Sequence, residues 1–439
     1  MGGERTVAPL IVQGDGTLIL ATGAPGAGSV ADGLRRFAEL AKCPGDYHHY
    51  RLTRHSLWNA AAAGVGAERV LDFLRRASGA PLPPAVERGI VDIIGRWGRL
   101  RLERGSDGDE LWLRADDPAL LAKLAPKLDD LLDYPLPDCP LSAAEALARL
   151  PDFAARGVLK ARLAALGWPV RDEAGYAGGA ALGAGPRPDL RLRPYQREAI
   201  AAFARRGSGL VLLPCGAGKT LVGVGAMLAL GCRTLVLCPS ATAVRQWIDA
   251  YAAFTDLPAG AAGGYDGRRR AIRPVTVTTY HMLTARGGGG AAPHLERVMA
   301  EDWGLIVFDE VHLLPADVFR LAAGVQSRRR LGLTATPVRE DGRESDLFAL
   351  VGPVLYTAPW SRLEAEGWIA PVECVEVRVP PDWGATAAGA TPLSHREAAS
   401  SGAKWPAVRA ILRRRRGEGA LVIGQYLDQL RDLAARLEA

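Results

Sequence analysis

Two rhythms of apolar residues divide this chain. As far as residue 176 the apolar positions recur mainly at three- and four-residue intervals. "ADGLRRFAELA", "SLWNAAAAGV", "AERVLDFLRRAS" and "VERGIVDIIGRWGRL" each predict an amphipathic helix. They follow an apolar run, "APLIVQGDGTLIL", whose central Gly14, Asp15 and Gly16 predict a turn between two strands. "VLKARLAALGWPVRDEAGY" (158–176) adds a short helix, and the glycine- and proline-rich "AGGAALGAGPRPD" after it reads as a linker, with a boundary near Leu190.

Beyond Leu190 the rhythm changes. Short, almost continuous apolar runs, "GLVLLP", "TLVLCP", "VTVTTY", "LIVFDE" and "RLGLTATP", are separated by helical stretches. Strands apolar on both sides and alternating with helices predict a parallel sheet covered on both faces. Ligands of such sheets bind at the carboxyl ends of the strands, where each of these runs turns polar. "ARGGGGAAP" (285–293) reads as a surface loop, residues 380–406 as a low-complexity segment, and "ALVIGQYLDQLRDLAARLEA" (420–439) as one strand and one helix. The resulting division is an amino-terminal α+β accessory domain (1–150), a short helical segment and linker (151–190), an α/β nucleotide-binding domain (191–360), a connection (361–419) and the opening unit of a further α/β domain (420–439).

Composition narrows the class. With 48% hydrophobic and 23% charged residues the chain reads as globular, and no run of about 18 apolar residues or basic-then-apolar start marks a membrane span or export signal, so a cytoplasmic protein is expected. Gly2 with Thr6 fits an acylation signal only formally. The cysteines (Cys43, Cys139, Cys215, Cys232, Cys238, Cys374) form no C-x-x-C pair, and His48, His49 and His55 lack partners at metal-ligand spacing. Net charge is +6, but residues 1–190 carry 23 Lys/Arg against 24 Asp/Glu while the remainder carries 31 against 24. The basic surplus lies in the part with the parallel-sheet pattern and favours a polyanionic partner there.

Chemistry enters with "LLPCGAGKT" (212–220), in which a strand feeds Cys215, Gly216, Ala217, Gly218, Lys219 and Thr220 into a helix. The glycines let backbone N–H groups converge on an anion at the positive helix end, Lys219 suits β- and γ-phosphates, and Thr220 suits Mg²⁺. The strict pattern wants glycine where Leu213 stands, so the fit is to the looser P-x-G-x-G-K-T form. "LIVFDEVH" delivers Asp309 and Glu310 to a strand end. Asp309 suits a metal's acidic ligand and Glu310 the base or orienting group for the attacking water, while His312 either senses the γ-phosphate or satisfies a loop. In "LRPYQREAI", which also holds Arg193, Gln196 suits a paired amide contact with an adenine edge. Thr334 and Thr336 of "LTATP" are candidate couplers between the nucleotide and another surface.

Gln196, "PCGAGKT", "DEVH" and "LTATP", in this order, resemble the motif set of superfamily 2 helicases and translocases, and "LRPYQ", "DWGLIVFDEVHLLPA", "RRLGLTATPVREDGRE" and "LVIGQYLDQL" resemble the XPB-type DNA repair helicases. The resemblance is dense over 191–379 and returns at 420–432, and the amino-terminal part is similar to the accessory domain of the bacterial branch. It implies a RecA-like P-loop lobe that binds and hydrolyses MgATP through Lys219, Thr220, Asp309 and Glu310, with Arg193 and Gln196 on the nucleotide. It also implies that Arg339, Glu340 and Asp341 form the family's "RED" element, associated with opening duplex DNA. "PSATAVRQW" and "TTYHML" match DNA-contacting positions, which makes Ser240, Arg245 and Thr279 candidates for phosphate contacts, with Arg268, Arg269 and Arg270 adding field. The implied partner is duplex or forked DNA, with a repair nuclease or other repair proteins, and the expected place of action is the cytoplasm, at the nucleoid if the chain is bacterial.

The sequence departs from that family pattern at its end. Only nine residues follow "LVIGQYLDQL", whereas a second RecA-like lobe needs about 100–150. The reading is therefore a fragment of a longer helicase, or a degenerate relative, with impaired turnover as given, because the second lobe supplies arginine fingers. Two rival readings remain open: a non-catalytic ATP- and DNA-binding module, and the motor part of another superfamily 2 nucleic-acid enzyme.

Overall fold

The structure, a computed structural model, describes residues 8–42, 46–105, 110–134, 146–151, 155–267, 269–285, 293–314, 318, 325, 328–336, 344–373, 375–379, 396 and 399–438. The chain divides into two units, residues 1–369 and 370–439. Among the described residues no helix is long and apolar enough to cross a membrane.

The first unit contains three sheets. The strands β1 (Leu10–Val12), β2 (Thr17–Ala21), β3 (Glu39–Lys42) and β4 (Tyr47–Arg51) form an antiparallel sheet in the order β1-β2-β4-β3. The expected turn at Gly14–Gly16 joins β1 to β2, and Asp15 Oδ1 accepts the Thr17 N–H at 2.9 Å. The "ADGLRRFAELA" helix stops at Leu34, and Glu39–Lys42 pairs as an edge strand instead. The helices Arg54–Ala62, Ala67–Ser78 and Pro84–Gly95 cover one face through Leu57, Val70, Leu74 and Ile90, all buried.

A second sheet has the order β7-β6-β5-β8, from β5 (Leu100–Arg104), β6 (Leu111–Ala115), β7 (Leu147–Leu150) and β8 (Val170–Asp172). Its inward rows, Leu100, Leu102, Leu111 and Leu113, are fully buried beneath Leu159 and Leu163 of the helix Arg156–Ala165. The segment 158–176, expected to give one short helix, thus lies across a helix and a strand.

The third sheet is parallel throughout. It comprises β9 (Ser208–Leu212), β10 (Thr234–Cys238), β11 (Ala262–Gly264), β12 (Val275–Thr279), β13 (Leu305–Asp309), β14 (Arg329–Thr334) and β15 (Val354–Thr357), in the order β11-β12-β10-β13-β14-β9-β15. Alternate residues of one strand enter different cores: Val211 packs with Val222 and Trp247 on one face, Leu210 with Leu235 and Phe308 on the other. Two-sided burial explains the unbroken apolar runs. This is the α/β parallel sheet with helices on both faces that the apolar runs predict.

The second unit contributes the helices Lys404–Arg414 and Leu427–Glu438. The strand expected from "ALVIGQ" does not form: Leu421 and Ile423 are 85% and 84% exposed. A strand is stable only on a neighbour's ladder, and the described residues of this unit offer none.

Candidate functional site: a phosphate loop beside two carboxylates

The order of the parallel sheet decides what meets at its carboxyl edge. β14 lies between β9 and β13, with Thr334 opposite Leu212 and Leu333 opposite Asp309, so three sequence-distant strand ends share one edge. From β9 the loop 213–218 runs into the helix Lys219–Leu230. Gly216 and Gly218 have φ of +78° and +74°, where side chains are strained, and a Cβ on Gly218 would stand 2.5 Å from Gln196 Nε2. A Cβ on Gly216 would meet nothing, so the loop opens toward the edge at that point, and Cys215 is exposed beside it.

The loop is fixed from behind. Tyr195 Oη and Gln196 Nε2 both donate to the Ala217 carbonyl, at 2.8 and 3.0 Å, and Gln196 Oε1 accepts the Arg193 N–H at 2.9 Å. Gln196 is 1% exposed, so both ends of the amide expected on adenine are engaged by protein. The Arg193 guanidinium donates to Tyr195 Oη and the Trp368 carbonyl, with its Cζ 5.2 Å from the Trp368 ring centre.

Lys219 Nζ lies 3.0 Å from Glu310 Oε1, joining the phosphate loop to the end of β13. Glu310 has φ +47° and ψ 54°, a left-handed conformation uncommon for a residue with a Cβ, and such strain persists where the surroundings enforce it. Asp309 points elsewhere: its Oδ2 accepts the Trp247 indole N–H at 2.9 Å, and its backbone carbonyl accepts the Tyr280 hydroxyl at 2.8 Å. Burial raises the Asp309 carboxyl above its usual range. The Trp247 bond opposes that rise, Glu310 adds to it and Lys219 opposes it.

His312 connects the third strand end. Its Nδ1 lies 2.8 Å from Thr334 Oγ1 and 3.6 Å from Glu310 Oε2. The Thr334 hydroxyl donates to the Thr336 carbonyl at 2.7 Å, so toward His312 it accepts and Nδ1 carries the proton. Along the same edge Ser240 and Thr279 cap the helices that follow β10 and β12, their hydroxyls accepting the Ala243 and Met282 N–H groups at 3.2 Å each. Arg245 is exposed one turn along the first of these helices.

The structure therefore brings together Cys215, Gly216, Ala217, Gly218, Lys219, Thr220, Asp309, Glu310, His312, Thr334 and Thr336, with Arg193 and Gln196 behind the loop and Ser240, Arg245 and Thr279 farther along the edge. Arg269 and Arg270 are exposed after β11. Arg268 and the Arg339, Glu340, Asp341 tripeptide lie outside the described residues. Sequence reasoning missed Tyr195, Trp247 and Tyr280. The available signal for Trp247 was Gly223, a helix-interior glycine that needs a packing reason: a Cβ there would overlap the Trp247 ring.

Residues 10–130 match the family model described as "Helicase conserved C-terminal domain" and residues 189–339 that described as "Type III restriction enzyme, res subunit". A Kineococcus radiotolerans protein named "DNA 3'-5' helicase XPB" is 46% identical over 438 residues, which cover 99% of this chain and 77% of that protein. Its Mycobacterium tuberculosis namesake is 44% identical over 444 residues, covering 99% and 78%. A Haloarcula marismortui protein named "Putative DNA 3'-5' helicase Rad25" is 34% identical, covering 89% of this chain and 60% of its own.

Proposed function

Since this chain belongs to the XPB family of DNA 3'-5' helicases, we propose that its ATP-dependent DNA helicase activity runs on the cluster where β9, β13 and β14 end. The observation that carries this assignment is the 3.0 Å pair between Lys219 and Glu310, which sets the phosphate-loop lysine against a carboxylate from another strand. Loop amides 216–219 receive the phosphates, and Lys219 neutralises them by exchanging Glu310 for the γ-phosphate. The exchange frees Glu310 to orient the attacking water. Substrate binding and release of the catalytic carboxylate are then one event.

A Thr220 hydroxyl and an Asp309 carboxylate form a hard-oxygen donor pair that fits Mg²⁺, one Asp309 oxygen being engaged by Trp247. The ion would supply neutralisation of phosphate charge when bound. Gln196 and Arg193 act first as a brace for the loop, and the remaining amide hydrogen and lone pair of Gln196 serve the base edge.

Ser240, Thr279 and Arg245 form the DNA-facing part. Both hydroxyls already accept from cap N–H groups, so each keeps its own hydrogen for a phosphate oxygen. Thr334, Thr336 and His312 pass the state of Glu310 toward residues 337–343, which hold the proposed Arg339, Glu340 and Asp341 opener. A motor of this kind works in the cytoplasm on nucleoid DNA, duplex or forked, beside a repair nuclease or other repair protein.

The assignment is tested by ATP hydrolysis with and without duplex DNA in the full chain and its Lys219→Ala variant. Turnover should fall by about 10² or more in the variant while duplex binding stays within twofold. Turnover that survives the substitution overturns the assignment.

A further inference from the structure

The helix Ala241–Phe254 has two ends with different neighbours. Ser240 caps it at the carboxyl edge and Arg245 lies one turn along, while Trp247, 1% exposed, is driven into the core between the sheet and the helix Lys219–Leu230. The indole plane fits there because position 223 has no side chain: a Cβ would overlap the ring. A buried indole N–H usually takes a hydrogen-bond partner, and of the carbonyls and carboxylates in this core the one it takes here is Asp309 Oδ2, at 2.9 Å. That bond fixes the orientation of the Asp309 carboxylate.

We propose that Trp247 is a positioning residue through which the DNA-facing helix Ala241–Phe254 sets the orientation of the Asp309 carboxylate in the nucleotide site. This rests on the assignment of Asp309 to the Mg²⁺-bearing side of that site and of Ser240 and Arg245 to DNA. Trp247 is rigid, with two side-chain torsions, and in the core it lies against Gly223 and Tyr251, the last with ring centres 6.0 Å apart. Any shift of the helix along its axis when phosphates engage its amino-terminal turn therefore moves the indole N–H relative to Asp309. A bulky apolar side chain at 247 would fill the same space without transmitting that shift. Tyr251, one turn farther on and equally buried, makes no bond to either carboxylate and serves as the internal control.

The test uses the full chain as wild type, Trp247→Phe and Tyr251→Phe. A fluorescent, non-hydrolysable ATP analogue is titrated with Mg²⁺ with and without duplex DNA, and DNA-stimulated ATP turnover is followed in parallel. For Trp247→Phe the Mg²⁺ midpoint should rise about tenfold and lose its response to DNA. Analogue affinity at saturating Mg²⁺ and duplex affinity should stay within twofold, and turnover should fall through kcat rather than KM. Tyr251→Phe should track wild type in every respect. The proposal is overturned if both variants shift the Mg²⁺ midpoint alike, or if Trp247→Phe changes only thermal stability. A wild-type chain that binds the analogue without any Mg²⁺ dependence would instead overturn the underlying site assignment, an outcome distinct from either of these.

Discussion

Replacing Asp172 with asparagine should unlock the second small sheet from the parallel sheet. Asp172, at the end of β8, receives Arg156 Nη2 at 2.6 Å, Arg156 Nε at 3.1 Å and Lys160 Nζ at 2.7 Å, and the side chains of all three residues are at most 9% exposed. Arg156 and Arg330, a β14 residue, lie with their guanidinium carbons 5.5 Å from the Tyr176 ring centre, so the cluster spans the two sheets. Asparagine keeps the shape and removes the charge. Stripping one partner from a buried ion pair costs about 3–5 kcal/mol, because the cations left behind stay desolvated. With a urea slope of about 2–3 kcal/mol per molar, the unfolding midpoint should fall by about 1–2.5 M.

The pH dependence sharpens this prediction. Burial pushes the Asp172 carboxyl up, but Lys160 and Arg156 together hold it well below the usual carboxylate range, so its contribution is complete at pH 7 and lost only in strong acid. Burial lowers the Lys160 ammonium to about 8, against the attraction of Asp172 and with Arg330 and Arg156 adding to the fall. The folded chain therefore sheds this proton near pH 8, whereas the unfolded chain keeps it to its ordinary 10.5, and stability rises with pH across that window. By pH 9.5 the Lys160 attraction has vanished from the wild type, leaving the Arg156 pair. The deficit of Asp172→Asn should then be smaller than at pH 7 by about 1 kcal/mol. Urea titrations at the two pH values, followed by tryptophan emission, measure both quantities. A deficit under about 1 kcal/mol at pH 7, or one that grows toward pH 9.5, refutes the reasoning.

Glu310→Gln removes the carboxylate that pairs with Lys219 in this structure, so ATP-analogue binding should hold or tighten while turnover falls by about 10²–10⁴; weakened binding would show that the pair braces the loop instead. Phe348→Ala empties a site between Trp58 and Trp97, whose ring centres lie 5.8 and 5.5 Å from that of Phe348, and should cost about 3–5 kcal/mol in thermal or urea unfolding. A loss under about 1 kcal/mol would mean that the aromatic cluster contributes little to holding the amino-terminal helices against residues 344–350.

Legibility followed chemistry rather than position in the chain. The parallel sheet announces itself because burial on both faces leaves its strands no room for polar residues, as in Leu305–Phe308, where all four are fully buried. The phosphate loop is equally plain, since glycine adopts the left-handed backbone at 216 and 218 without the strain a side chain would bring. The small sheets were harder. "LRLER" and "LWLRA" alternate strictly, with Leu100, Leu102, Leu111 and Leu113 inward, but each run is short and flanked by stronger helical patterns. The edge strands Ala262–Gly264 and Val354–Thr357 carry no periodic signal, because pairing on one side only makes them strands. Gln196 is legible as a residue that matters, yet its bonds to Ala217 and Arg193 depend on how the helix Pro194–Arg206 lies against the loop, which spacing does not encode.

The same connectivity ties the accessory sheets to the nucleotide site. The helix Glu344–Leu350 and the residues after it are held from two sides: Arg330 Nε of β14 donates to the Leu350 carbonyl at 2.6 Å and the Ser208 hydroxyl of β9 to that of Val351, while Asn59 Oδ1 accepts the Val354 N–H at 3.0 Å and Phe348 sits against Trp58 and Trp97. Thr336 marks the other end of the stretch before it, bonded to Thr334 and through it to His312. In sequence, residues 337–343, with Arg339, Glu340 and Asp341, lie between the end of β14, where Thr334 and Thr336 stand, and the helix Glu344–Leu350, which packs against the amino-terminal helices. A substitution in the amino-terminal helices that leaves the phosphate loop untouched should therefore act on DNA opening before it acts on ATP binding.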